Sequence, residues 1–221
     1  MVFVAGIIGS ELAPTKSLST LPVATIVVGT ALSVIPVIRL MSIFGRKKVF
    51  LSACIYSILL IGLCIFSITK EIFFLFSFAS FCLGASVATM MQFRFAAIES
   101  VNPEQRASAT ALVLLGGLIS AFLGTEIATI GKSLLNTDFV GSFLLLAFLF
   151  IIAFLFMTFF EPAAKFKEHK EKSKRPLKDI ITQGSFIVAV SAATTGYVVM
   201  SFIMTATPVS MHVMDGHSLH H

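Results

Sequence analysis

The chain has 221 residues, of which 57% are hydrophobic and only 12% are charged, and its mean hydropathy is +0.97. A soluble domain carries about 25% charged residues, so this composition excludes an ordinary soluble protein and predicts an integral membrane protein. The net charge of +5 at pH 7 does not point to nucleic acid, because no basic patch is interleaved with aromatic residues.

Six apolar segments are long enough to cross a membrane, whose hydrocarbon core of about 30 Å takes about 20 helical residues. In chain order they are residues 21–43, 49–68, 72–97, 107–130, 141–160 and 185–207. The opening run, residues 1–9, is too short, because nine helical residues rise only about 14 Å. We therefore expect an all-α membrane bundle of six complete spans and an N-terminal remnant.

The Lys and Arg residues divide unevenly between alternate connections of this layout. Thirteen of the 16 lie on one side and three on the other. The larger set is Arg39, Arg46, Lys47, Lys48, Arg94, Arg106 and seven residues between 165 and 178, and the smaller set is Lys16, Lys70 and Lys132. Because cytoplasmic connections carry the excess of Lys and Arg, the turns at 46–48 and 99–106 and the linker 161–184 are predicted to be cytoplasmic.

Three cytoplasmic segments carry recognisable motifs. Residues 44–48 read F-G-R-K-K, residues 102–106 read N-P-E-Q-R with Ala109 following, and residues 161–162, E-P, close a span before the basic linker. At these helix positions they resemble the end of the signature loop G-x-x-x-D-R-x-G-R-R/K, the P-x-x-x-R-x-x-A turn and the mid-chain hinge of the major facilitator superfamily of transporters.

This resemblance covers essentially the whole chain and implies a partial bundle, truncated at both ends. Residues 1–160 would be an N-terminal half with an incomplete first helix, 161–184 the linker, 185–207 the seventh helix, and 208–221 an outer loop. It implies secondary transport of a small solute by alternating access, in a multi-pass protein of a bacterial inner membrane. No enzyme signature occurs, so no catalytic residue, cofactor or metal is expected.

The resemblance also implies a cytoplasmic gate, formed by Gly45, Arg46, Lys47, Glu104 and Arg106. The chain departs from the family pattern within it, because Ser42 takes the place of the signature aspartate. Glu104 is therefore the expected replacement partner for Arg46, and Arg46 and Arg106 are expected to lie close together. Ser80 stands where the family often has a proton-coupling arginine, which indicates a divergent branch.

Polar groups at membrane depth are costly, so they are functional candidates by default. The candidates for the transport pathway are Gln92, Arg94, Glu126, Thr195 and Thr205. Each has a structural alternative. Arg94 could snorkel or pair with Glu99 or Glu104, Glu126 could pair with Lys132, and the threonines could bond to their own helix.

Two further expectations concern helix packing and the last span. Gly116, Gly117 and Gly124 share one helix and are predicted to allow close helix contact or self-association. Residues 205–208, T-A-T-P, are the expected place for an unwound outer end.

The truncation leaves two functional hypotheses open. One is a transporter whose other part comes from elsewhere, with membrane lipids and an unidentified small solute as partners and proton coupling as an option. The alternative is a membrane protein without transport activity that at most associates with other membrane proteins. Because five helices of a second half are missing, residues 1–221 alone are expected not to transport.

Overall fold

The computed structural model describes the backbone of residues 2–132, 134, 139–160 and 181–214, and side chains for these residues except 2, 3, 16 and 204–214. The chain divides into two units, Met1–Ala164 and Lys165–His221. The linker 161–180, Asp138 and the tail 215–221 lie outside the described residues, as do the expectations that concern them.

Eight α-helices form the described part of the chain. They are α1 (Val2–Leu12), α2 (Leu21–Phe44), α3 (Arg46–Thr69), α4 (Phe73–Met90), α5 (Phe93–Glu99), α6 (Arg106–Lys132), α7 (Val140–Phe159) and α8 (Gly184–Met214). Six segments are long and apolar enough to cross a membrane, with α4 and α5 counted as one segment and α1 falling short. This confirms the prediction of an all-α membrane protein with six spans and a shorter first helix.

A single residue, Gly45, connects α2 to α3. Its φ of 84° and ψ of 153° lie in a region that L side chains rarely adopt, so glycine is required there. Because no loop intervenes, the basic residues that follow are held on the first turn of α3.

The predicted span 72–97 is interrupted near its C-terminal end. The Gln92 amide donates to the Thr89 carbonyl at 3.0 Å, a tighter turn than the α-helix provides. The Thr89 hydroxyl in turn donates to the Ala85 carbonyl at 2.8 Å, a bond that often bends helices. The crossing segment Phe73–Glu99 therefore contains a turn at residues 91–92 that sequence alone did not predict.

Glycines bring two pairs of helices into backbone contact. A Cβ on Gly84 would collide with the backbone of Gly29 and Thr30, and one on Gly29 would collide with the Phe81 carbonyl. This crossing joins α2 to α4. Close approach of this kind is typical of helices in lipid, where apolar surface gives no drive to associate.

The second glycine contact joins the C-terminal end of α6 to the N-terminal end of α7. A Cβ on Gly131 would collide with the backbone of Ser142, and one on Gly141 would collide with the Gly131 carbonyl. The Ser142 hydroxyl donates to the Ala128 carbonyl at 2.9 Å. These contacts fix the two helices in one register.

The glycines singled out from the sequence make no such contact within the described structure. A Cβ on Gly116, Gly117 or Gly124 would have no neighbouring atom within 4 Å. The expectation that they bring helices into close contact is wrong within the described residues, whereas self-association through them stays a prediction. The small-residue pattern alone does not reveal which face of a helix meets a neighbour.

The last span also differs from its prediction. Helix α8 continues through Pro208 to Met214, so the expected unwinding at residues 205–208 is wrong, and the helix extends into the predicted tail. A proline removes one backbone donor and can be accommodated within a membrane helix, as Pro36 is inside α2.

Candidate functional site

Two basic side chains on the first turn of α3 each bind the end of another helix. The Arg46 guanidinium donates from Nη2 to Oε1 of Glu99, the last residue of α5, at 2.6 Å. The Lys47 ammonium donates to the Thr158 carbonyl near the end of α7 at 2.7 Å. We call these four residues the inner clamp, where "inner" denotes the helix ends rich in basic residues.

An aromatic cluster lies one turn further along α3, next to the inner clamp. Phe50 is only 1% exposed, and its ring centroid is 4.5 Å from that of Phe93 and 6.4 Å from that of Phe160. Phe93 begins α5 and Phe160 follows α7. The aromatic contacts therefore join the same three helices, α3, α5 and α7, as the polar contacts of the inner clamp.

Helix dipoles explain the direction of these contacts. A cation is unfavourable at the N-terminus of its own helix and favourable at the C-terminus of another. Arg46 and Lys47 stand at the N-terminus of α3, and they reach the C-terminal ends of α5 and α7, respectively. The Arg46 guanidinium uses only part of its hydrogen-bonding capacity, because its buried Nη1 has no hydrogen-bond partner among the described residues.

The structure corrects the predicted partner of Arg46. The ion pair forms with Glu99 and not with Glu104, which is exposed in the turn between α5 and α6. Glu99 ends the helix whose Phe93 ring lies against Phe50 of α3, whereas Glu104 lies beyond that end. Arg106 is exposed at the start of α6, and its proximity to Arg46 stays a prediction.

Gln92 lies in the turn between α4 and α5, and Arg94 lies in the first turn of α5. Gln92 is half-buried and Arg94 is exposed, and the Arg94 guanidinium lies 5.0 Å from the centroid of the Phe95 ring. Pairing of Arg94 with Glu99 is wrong, since Glu99 binds Arg46. Both candidates lie in the inner third of the crossing segment, Gln92 about 10 Å and Arg94 about 8 Å before its end at 1.5 Å per residue.

Glu126 lies near the opposite ends of the helices, so the structure does not bring it together with Gln92 or Arg94. It is exposed on α6, whose buried residues are Ala128 and Gly131. At about 100° per residue, Glu126 points away from the side of α6 that packs on α7. The Lys132 ammonium lies 5.5 Å from the Phe139 ring centroid, and the suggested pairing of Lys132 with Glu126 stays a prediction.

Of the two threonine candidates on α8, the one whose side chain is described bonds to its own helix. The Thr195 hydroxyl donates to the Ser191 carbonyl at 2.9 Å, as the structural alternative requires. The side chain of Thr205 lies outside the described residues. Among those that are described, no three His, Cys, Asp or Glu side chains are grouped so that they could hold a metal.

Sequence reasoning missed half of the inner clamp. Glu99 stood at the boundary of a predicted turn and was considered only as a partner for Arg94. The Thr158 contact uses a backbone carbonyl, a group that every residue carries, so no sequence signal marks it. The apolar spacing of Phe50, Phe93 and Phe160 gave no indication that they meet.

Comparisons with known proteins cover nearly all of the chain. The family model of the Major Facilitator Superfamily matches residues 1–219. The chain is similar to the riboflavin transporter RfnT of Brucella anthropi, with 31% identity over 229 residues that cover 100% of this chain and 56% of that protein.

Two further relatives come from Bacillus subtilis. The uncharacterized MFS-type transporters YdeG and YddS are 27% and 24% identical to the chain, each covering 99% of it and 54% and 53% of their own lengths. The chain thus spans about half the length of the curated relatives it matches. No solved structure matches it significantly.

Proposed function

This chain belongs to the major facilitator superfamily, and we propose that it forms half of a secondary transporter that moves a small solute across a bacterial inner membrane. As a multi-pass membrane protein of a transporter family, it has a non-enzymatic role. The observation that carries the proposal is the alignment of its whole length with about half of RfnT.

Alternating access requires two bodies that rock against each other around a central site. Residues 1–164 provide one such body, whose inner helix ends are joined by the inner clamp. Helix α6 presents an apolar face away from α7, formed by exposed residues that include Leu115, Ile119 and Phe122. A second half would cover this face.

The solute and the coupling ion are further parts of the proposal. Riboflavin is the first solute to test, because RfnT is named for its transport. The residues proposed to line the pathway are Gln92, Arg94, Glu126, Thr195 and Thr205. Proton coupling requires a side chain at membrane depth that can bind and release a proton, and the Glu126 carboxylate is about 9 Å inside the end of α6 at 1.5 Å per residue.

Complementation in a bacterium that neither makes nor imports riboflavin tests the proposal. Residues 1–221 would be expressed alone, or together with the C-terminal half of RfnT as a separate chain. Complete RfnT and its C-terminal half alone serve as controls. We expect saturable riboflavin uptake only from complete RfnT and from the pair of halves.

Two results would contradict this proposal. Absence of uptake from the pair, with both chains present in the membrane at the level of complete RfnT, would favour a membrane protein without transport activity. Saturable uptake by residues 1–221 alone would instead indicate that two copies of this chain form the transporter.

A further inference from the structure

We propose that the interruption at residues 91–92 recognises the flavin ring of the solute through two kinds of group. The Gln92 amide hydrogen-bonds to the polar edge of the ring. The platform, formed by Met91, Arg94 and Phe95, contacts its face. This inference rests on the proposed function, since it takes riboflavin as the solute, and it adds the residues that select that solute.

The first argument is that the Gln92 side chain has hydrogen-bonding capacity that the described residues do not use. The Gln92 backbone amide donates to the Thr89 carbonyl at 3.0 Å, but the side-chain amide has no hydrogen-bond partner among the described residues. The side chain is half-buried and lies in the C-terminal third of a crossing segment. Withdrawing an amide from water without a partner is unfavourable, so this donor and acceptor are available to a polar solute.

The second argument is that the platform lies beside this amide and is open. Met91 and Phe95 are each 42% exposed, whereas Ala96 is buried. The backbone of residues 91–92 stays in the right-handed helical region, and residues three and four apart are neighbours on a helix. Met91 therefore lies beside Arg94 and Phe95. The Arg94 guanidinium, which is exposed, is 5.0 Å from the centroid of the Phe95 ring.

The third argument is the chemical complementarity of these groups to a flavin. The isoalloxazine ring is planar and aromatic, and its pyrimidine edge presents an N–H between two carbonyls. A glutamine amide matches this edge with two hydrogen bonds, because it carries both an acceptor and donors. Aromatic and thioether side chains favour contact with aromatic rings, and a guanidinium stacks on planar groups. Gln92 therefore supplies specificity, and the platform supplies contact area.

Riboflavin binding to the full chain in lipid nanodiscs tests the site. The readout is the fluorescence anisotropy of the flavin, with empty nanodiscs as the background. We expect saturable binding of riboflavin, and about tenfold weaker binding of N3-methylriboflavin, because the methyl group removes one hydrogen bond to Gln92. Gln92→Leu should lower the affinity for riboflavin to that of the analogue, and it should leave the affinity for the analogue unchanged.

Two further comparisons test the platform. Phe95→Leu should weaken the binding of riboflavin and of its analogue alike, by about fivefold, because an aromatic contact is lost in both. Phe156→Leu is the matched control and should bind as the unmodified chain does, since Phe156 lies on α7 and is 72% exposed. Uracil, which has the same polar edge without the tricyclic ring, should compete only weakly.

Four results would overturn the inference. Two need no variant to fold: no saturable binding above that of empty nanodiscs, or equal binding of riboflavin and the N3-methyl analogue by the unmodified chain. Competition by uracil as strong as that by riboflavin would show a site for the pyrimidine edge alone. Equal affinities of Phe95→Leu and Phe156→Leu would remove the platform.

The uptake assay with the pair of halves separates this inference from the proposed function. Selective binding without uptake by the pair would refute transport and leave the recognition site in place. Uptake by the pair, with equal affinity of the chain for riboflavin and its analogue, would support transport and overturn the recognition site.

Discussion

The inner clamp and the outer crossing of α6 and α7 hold helices together by different physical means. At the crossing, Gly131 and Gly141 let backbones touch, so the contact depends on shape and fails when a side chain is added. At the clamp, long side chains reach across to a carboxylate and a carbonyl, so the contact depends on charge. The crossing of α6 and α7 is therefore sensitive to side-chain volume, whereas the inner clamp is sensitive to salt and to removal of a charge.

The inner clamp is predicted to face the cytoplasm, and labelling gives an all-or-none test of this orientation. Single cysteines would replace Lys48, beside the clamp, or Lys70, at the opposite end of α3, in a chain without native cysteines. In intact cells an impermeant maleimide should label position 70 and not position 48, because the excess of basic residues marks the cytoplasmic side. Labelling of position 48 alone would reverse the orientation.

The next largest effect is expected at the glycine contact between α2 and α4. Gly84→Leu should abolish the folded protein, because even its Cβ would collide with the backbone of Gly29 and Thr30, which cannot move aside as a side chain can. The measurement is the yield of monodisperse protein in detergent. Gly62→Leu on α3, where a Cβ has no neighbour within 4 Å, is the control and should fold.

A smaller effect is expected at the outer crossing itself. Gly131→Ala should lower the free energy of unfolding by about 1–3 kcal/mol, the usual range for overpacking. Gly124→Ala on the same helix has open space for its Cβ and should be neutral or slightly stabilising. Thermal unfolding in detergent would compare the two, and equal values would show that the crossing does not depend on backbone contact.

The smallest effect is expected at the charge contact. Glu99 is 61% exposed, so Glu99→Gln should cost at most about 1 kcal/mol, as for other exposed ion pairs. The loss should shrink as salt is raised, because salt already weakens the pair in the unmodified chain. Glu104→Gln, in the neighbouring turn, should have no effect. A larger loss from Glu104→Gln would restore the partner predicted from the sequence.

Much of the fold was predictable because the membrane imposes local rules. Span lengths follow from the thickness of the hydrocarbon core, and helices are required because every backbone group must be bonded internally. The predicted spans accordingly agree with α2, α3, α6 and α7 to within a few residues. The interruption at residues 91–92 escaped prediction, because it depends on local hydrogen bonds of Thr89 and Gln92 that hydropathy does not reflect.

The candidate site was less predictable. The basic turn at residues 45–47 was identified from the order of its residues, but its partners were not. The choice between Glu99 and Glu104 depends on which acid the fold brings to the first turn of α3. In the same way, Gly84 and Gly116 look equivalent in sequence, and only their neighbours distinguish them.

By itself, the sequence determined that this is a helical membrane protein with six spans and a basic side, and it carried the motifs of its family. These properties depend on composition and spacing, which are local. Only the tertiary structure decided that Lys47 binds the Thr158 carbonyl, that Arg46 binds Glu99, and that Gly29 meets Gly84. Those contacts join residues far apart in the chain, and they depend on which helices lie side by side and on backbone groups that are chemically alike at every position.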